Sequence, residues 1–168
     1  FNTENTAHYI TDYQGLLLDQ ILDTITELDS TSKLQVVQER RLLAEAGHIS
    51  FADLVPVIEK LTNESSYLVV SGVKAILNGL KIFVEEGSET EEAYNDLVIK
   101  LSRFNFDRLG FEAKDGESDE DELVRQIVIG NLIAANDEKA TQEADGIFKA
   151  HQDDLEKLPA AIRLHILI

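Results

Sequence analysis

The stretch SETEEAYNDLVIKLSRFNFDRLG, residues 88–110, reads as one complete helix with its start and stop included. Ser88 and Glu91 have the spacing of a capping box, in which a hydroxyl and a carboxylate satisfy the first free backbone N–H groups of a helix. Ala93, Tyr94, Leu97, Val98, Leu101 and Phe104 then recur at helical spacing, and Gly110 stands where a left-handed residue closes the last turn.

The same pattern extends to both sides. GLLLDQILDTITEL, residues 15–28, sets Leu17, Leu18, Ile21, Leu22, Ile25 and Leu28 on one stripe, with Asp19, Asp23 and Glu27 outside it. Ser30, Thr31 and Ser32 are N-cap candidates for a second helix. In it Leu34, Val37, Arg41 or Leu42, and Ala44 turn inward, Gly47 follows as C′, and the two helices are expected to pair antiparallel. Ser50 with Asp53 opens a third helix carrying Leu54, Val57, Ile58 and Leu61; Pro56 requires either a later start or a kink.

Asn63 precedes the apolar segment from Tyr67 to Val84, whose Gly72 and Gly79 lie near one face and suit close helix packing. Ser118 with Asp121 repeats the capping signal ahead of Leu123, Ile127, Val128, Leu132 and Ile133. Asn136 is expected to cap a helix carrying Ala140, Ala144, Ile147 and Phe148, and Pro159 fits the first position of a last one. About eight helices without strand-like alternation predict an all-α fold of stacked antiparallel hairpins, an α-solenoid cut off at its C-terminus. The capping signals are unevenly spaced, which disfavours a tetratricopeptide array. The expected organisation is a single helical domain over 1–168, with a lead-in segment at 1–13 and hairpins over 15–168.

Composition agrees: 43% of the 168 residues are hydrophobic, with two prolines and nine glycines. No methionine occurs, which points to a piece of a longer chain. No stretch reaches the roughly 20 apolar residues that span a bilayer. Zero cysteines exclude disulfides and thiolate-bound metals and suit a reducing cytoplasm. Fifteen Lys and Arg against 32 Asp and Glu give a formal charge of −17, which repels phosphate backbones and anionic headgroups. Nucleic acid and membrane surfaces are therefore set aside as partners.

Reactive constellations are sought without success. His8, His48, His151 and His165 form no His-Glu-x-x-His pair. Asp115, Glu117, Asp119 and Asp121 alternate like calcium ligands, but Glu120 stands where that loop needs glycine, and several of these acids instead suit the positive end of a helix. Ser71 lacks the first glycine of a nucleophile elbow, and no phosphate-loop motif occurs. No catalytic, cofactor-binding or metal-ligating residue is assigned.

Leu43-Ala-Glu-Ala-Gly47 followed by Ser50-Phe-Ala52 resembles the C-terminal helical domain of aminopeptidase N-type zinc aminopeptidases, a gluzincin family, and bacterial members most closely. Tyr9-Ile-Thr-Asp-Tyr13 looks like a diverged form of that family's strand leading into the domain, with Ile10 in place of arginine. Further likenesses run through Asn63–Val69, Arg108–Phe111, Glu117-Ser118, Leu123–Arg125 and Leu158–Arg163, covering essentially the whole chain.

The resemblance implies a parent enzyme, similar in activity to alanyl aminopeptidase, that removes residues from peptide N-termini with a zinc held in a separate catalytic domain. It implies no cofactor within this chain. The role it implies for these helices is non-catalytic: covering the active-site chamber and restricting substrate access, with the catalytic domain and remaining helices of the parent as partners and peptides as its substrates. The alternative expectation is an independent helical-repeat scaffold that binds another protein. A metal-dependent enzyme in its own right ranks below both.

Overall fold

The computed structural model describes residues 9–152 together with 154, 158 and 163. Among them are seven α-helices and no strand: α1 Leu16–Thr24, α2 Ser30–Glu45, α3 Val55–Glu59, α4 Tyr67–Lys81, α5 Glu89–Leu109, α6 Asp119–Ala134 and α7 Glu138–His151. The helix expected to open at Pro159 lies outside the described residues. The all-α expectation holds, and the lead-in from Tyr9 to Tyr13 is irregular rather than a strand. Contacts divide the chain into two compact units, residues 1–84 and 85–168.

In the first unit α2 finds its main partner in α4, not in the helix preceding it. A 3-10 turn, Phe51–Leu54, packs against α2, α3 and α4. Ser50 caps this turn with the expected capping box, and the α-helix proper starts later, so Pro56 falls in its first turn where no N–H is missed. Ile25, Val36, Val37, Leu54, Val57, Ile58, Val69 and Ile76 form the core.

The inward face of α2 differs from the sequence expectation. Val36, Val37, Arg40, Leu43 and Ala44 are buried, whereas Leu42 is exposed and Arg41 pairs with Glu45. Burial of Gln35, Glu39 and Arg40 on this helix blurs its apolar stripe, so periodicity alone misplaces the face.

Gly72 and Gly79 of α4 do what their spacing suggested. A Cβ at Gly72 would stand 2.9 Å from Leu34 Cδ1 and 3.2 Å from Val37 Cγ1, and one at Gly79 would overlap the edge of the Phe51 ring. Phe51 in turn packs against Phe83, with ring centroids 5.5 Å apart.

In the second unit α6 is central, packing against α5 and α7. Its core includes Val98, Leu101, Phe106, Leu109, Phe111, Val124, Val128, Ile129, Leu132 and Ala140. Phe104, Leu123 and Phe148, placed on the apolar stripes by spacing, are exposed.

Helix starts lie close to the sequence signals, with shifts that have a physical reason. Asp29, not Ser30, caps α2 by accepting from the Ser32 N–H at 3.0 Å. Asp137, not Asn136, caps α7 by accepting from Ala140. Asn136 instead ends α6 at φ +56°, a left-handed position that asparagine tolerates. The N–H of Asp137 reaches the Leu132 carbonyl and that of Asn136 reaches Ile133, closing a Schellman motif; Gly47 closes α2 the same way. Each side-chain cap is worth about 1 kcal/mol.

Gly79→Ala sets two effects against each other. Helix propensity gains about 1 kcal/mol, while displacing a packed ring costs about 1–3 kcal/mol. The expected result is a net loss of about 1 kcal/mol in the urea midpoint analysis, turning into a gain in the Phe51→Ala background, where the overlap is gone. The same sign in both backgrounds would show that the Phe51 contact does not decide the outcome.

Candidate functional site

The polar features that spacing singled out converge on the connection between α5 and α6. α5 ends at Gly110, whose φ of 61° and ψ of −161° suit a residue without a side chain. The chain then buries Phe111 edge-on against Phe106, at 5.6 Å and 88° between ring planes. Lys114 folds back so that its Nζ donates to the Arg108 carbonyl at 2.7 Å. Gly116, at φ +89°, brings the chain round to Ser118, the N-cap of α6.

Two arginines fasten this loop. Arg108, near the end of α5, donates to Asp121 in the first turn of α6 and to Asn105 Oδ1 at 3.0 Å. Arg125, one turn further along α6 and only 2% exposed, donates to Glu117. Asp121 serves twice, since its second oxygen accepts from the Ser118 N–H and hydroxyl to complete the capping box. The Arg108 guanidinium, helped by those bonds, holds the Asp121 pKa down to about 2. Arg125 likewise lowers that of Glu117.

A second brace joins α2 to the start of α4. Lys33 donates to Glu64 at 2.7 Å, and the other Glu64 oxygen accepts from the N–H groups of Ser65 and Ser66 at 3.0 Å. Burial raises the Glu64 pKa, but the Lys33 bond and the Ser66 N–H outweigh it, so the net shift is downward. Ser66, the N-cap residue of α4, makes no side-chain cap of its own, and Glu64 instead satisfies its backbone N–H. A third acid, Asp137, receives Arg103 while capping α7.

These carboxylates are committed to arginine, lysine and backbone donors, which suits bracing and not proton transfer or metal binding. Glu117 and Asp121, the second and fourth acids of the calcium-like series, are both held by arginines. His48 is exposed, and His151 Nδ1 lies 2.9 Å from the Ile147 carbonyl one turn earlier. Among the described residues no three His, Cys, Asp or Glu side chains gather as a metal site. Among the described residues these bracing acids are already taken up by basic and backbone donors, so no set of them fits zinc. No described helix is long and apolar enough to cross a membrane.

Beside the loop lies an open cleft of about 500 Å³, lined by Leu109, Phe111, Lys114, Glu143 and Ile147 among others. Its lysine is the one already bonded to the Arg108 carbonyl. The family resemblance runs through Arg108, Glu117 and Arg125 but says nothing of their pairing; the eight-residue step from Glu117 to Arg125 crosses a cap, where helical periodicity gives no guidance.

A family model for the ERAP1-like C-terminal domain matches residues 1–168. An aminopeptidase N of Lactococcus lactis subsp. lactis is 51% identical over 168 residues, 99% of this chain and 20% of that protein. An aminopeptidase N of Lactobacillus helveticus is 38% identical over 167 residues, with the same two shares. Aminopeptidase M1-B of Oryza sativa subsp. japonica is 26% identical over 153 residues, 89% of this chain and 17% of its own length. The chain thus spans about a fifth of the bacterial relatives it matches.

Acid should loosen the loop in a defined window. Asp121 has its folded pKa at about 2, below the ordinary 3.8, so as pH falls between those values the unfolded chain takes up the proton first. The stability this carboxylate contributes is present above the ordinary value and is lost as pH drops through the folded one. Urea midpoints of Asp121→Asn should fall less steeply than those of the parent sequence across this window. Superimposable slopes would remove Asp121 from the acid response.

Proposed function

Because the chain belongs to the ERAP1-like C-terminal domain family, we propose that it is a non-catalytic helical section of a longer zinc aminopeptidase, covering the active-site chamber and restricting which peptides enter. The observation that carries this is the coverage: aminopeptidase N relatives match 99% of this chain, yet it accounts for only 20% of their length. Zinc and the groups that activate water would then reside elsewhere in the longer protein. The partners are the catalytic domain and remaining helices of the same polypeptide, and peptides are its substrates.

The proposed architecture is one helical domain of the α-solenoid type, built from antiparallel helical hairpins. Such a body contributes shape: helices stapled at their turns present a wall that does not yield to a substrate pressing on it. A cytoplasmic location suits a chain that holds together without cysteine.

Loosening the wall should change selectivity before it changes chemistry. In the longer protein, Arg125→Ala leaves Glu117 without its partner at the α5–α6 loop. The expected outcome is a several-fold rise in hydrolysis of long peptides relative to a small aminoacyl amide, whose turnover stays near its original value. Loss of turnover on the small amide by itself, with the fold intact, would mean that these residues contribute to the reaction and not to access.

A further inference from the structure

Glycine follows an aspartate or asparagine at three places in the chain: Asn78-Gly79, Asp115-Gly116 and Asp145-Gly146. Such pairs share a reactivity, because a glycine amide nitrogen, with no side chain crowding it, can reach the carboxyl or amide carbon of the residue before it. Whether it does depends on how freely the peptide plane between the two can turn. Asn78 and Gly79 lie inside α4, and Asp145 and Gly146 inside α7, where the hydrogen bonds of each helical turn hold that plane. Asp145 also accepts from Lys149 at 2.9 Å.

Asp115, first of the acids that alternate like calcium ligands, has different surroundings. It and Gly116 are exposed, in a turn where Gly116 has φ +89°. The Glu117 N–H donates to the Lys114 carbonyl at 3.3 Å, which makes Lys114–Glu117 a β-turn with glycine at the position that takes positive φ. Among the described residues that is the only backbone bond between Phe111 and Glu117, and it is longer than an ordinary N–H···O contact. The Asp115 carboxylate has no partner among the described residues. On either side the chain is anchored, by Lys114 on the Arg108 carbonyl and by Glu117 on Arg125. The pair is a loose link between two fixed points.

We propose that Asp115-Gly116 is a self-modifying site, at which the main chain reroutes through the aspartate side chain to isoaspartate and slackens the α5–α6 loop. The Gly116 nitrogen attacks Cγ of Asp115 in its acid form. The N–Cγ bond forms, one Cγ–O bond breaks, and that oxygen leaves as water with the acid proton and the amide proton, closing a succinimide. Water then adds at one of the two ring carbonyls. Breaking the N–Cγ bond restores aspartate, whereas breaking the bond from nitrogen to the original main-chain carbonyl leaves isoaspartate, with no net change in mass and no other reactant. The main chain now runs through Cβ and Cγ, one methylene longer, and carries a carboxylate on Cα. That extra length falls between Lys114 and Glu117, so the spacing that lets one reach the Arg108 carbonyl while the other meets Arg125 is lost.

The test ages the longer protein, folded, in weakly acidic buffer. Isoaspartate is located by peptide mapping with an aspartate-specific protease, which does not cut at isoaspartate, and by electron-transfer fragmentation. In the folded protein Asp115 is expected to convert about tenfold faster than Asp145, whose helix must open first, and the gap is expected to close in urea. Asn78 is the harder control: asparagine, which loses ammonia instead of water, is the more reactive residue in an open chain, yet α4 should hold it back as well. Amide hydrogen exchange across residues 117–121 should be faster in aged protein than in fresh. Ageing should leave that exchange unchanged in Asp115→Glu, whose longer side chain keeps the charge but cannot close the five-membered ring. Conversion at Asp145 or Asn78 that matches Asp115 in the folded protein, or none at Asp115, would overturn the proposal. So would exchange that does not rise on ageing, or that rises equally in Asp115→Glu. Peptide hydrolysis enters none of these readouts, so their failure leaves the functional reading to its own test.

Discussion

Short helices leave many backbone N–H groups without intrahelical partners, and satisfying them at each turn is the constraint on which both units depend. Asp29, Ser50, Ser88, Ser118 and Asp137 meet it with side-chain oxygens, and Glu64 does so from outside the helix it serves. Three of the acids involved also receive a basic side chain: Glu64 from Lys33, Asp121 from Arg108 and Asp137 from Arg103. One carboxylate thus ends a loop, starts a helix and ties it to a neighbour. Acids used this way already accept from basic and backbone donors, the opposite of what a general base or a metal ligand requires.

That commitment links the fold to the proposed role. An access-limiting wall has to resist displacement, and cross-braced turns stiffen the parts of a helical body that otherwise give first. The overall charge of −17 follows in part from capping with carboxylates. The loop between α5 and α6 shows the combination most fully, with a left-handed glycine, a buried aromatic pair, a lysine folded onto a carbonyl and two arginine-held acids between Phe106 and Arg125.

Much of this was legible from the residues. Capping boxes at Ser50 and Ser118 have both halves in place, Gly47 and Gly110 end helices, and the small faces at Gly72 and Gly79 admit neighbours no side chain would allow. At Ser88 the pattern was right but one partner differs, since Glu91 reaches the Gly87 N–H instead. Misplacements arose where one signal had two uses. Asn136 resembles a cap but occupies a left-handed C′ position, leaving the cap to Asp137. On α2 the buried Gln35, Glu39 and Arg40 break the apolar stripe, so spacing puts Arg41 or Leu42 inside where Leu43 belongs. Ion pairs joining different elements, such as Lys33 with Glu64, leave no local trace in a sequence because their spacing is set by the fold.

The central proposal is that these residues build structure with their polar groups and catalyse no reaction with them. Calorimetric titration of the purified 168-residue chain with zinc, followed by an aminoacyl amide hydrolysis assay at saturating metal, tests it most directly. No stoichiometric binding heat and no hydrolysis above the buffer rate are predicted. One-to-one zinc binding with turnover that disappears on replacing a histidine or carboxylate of this chain would contradict it.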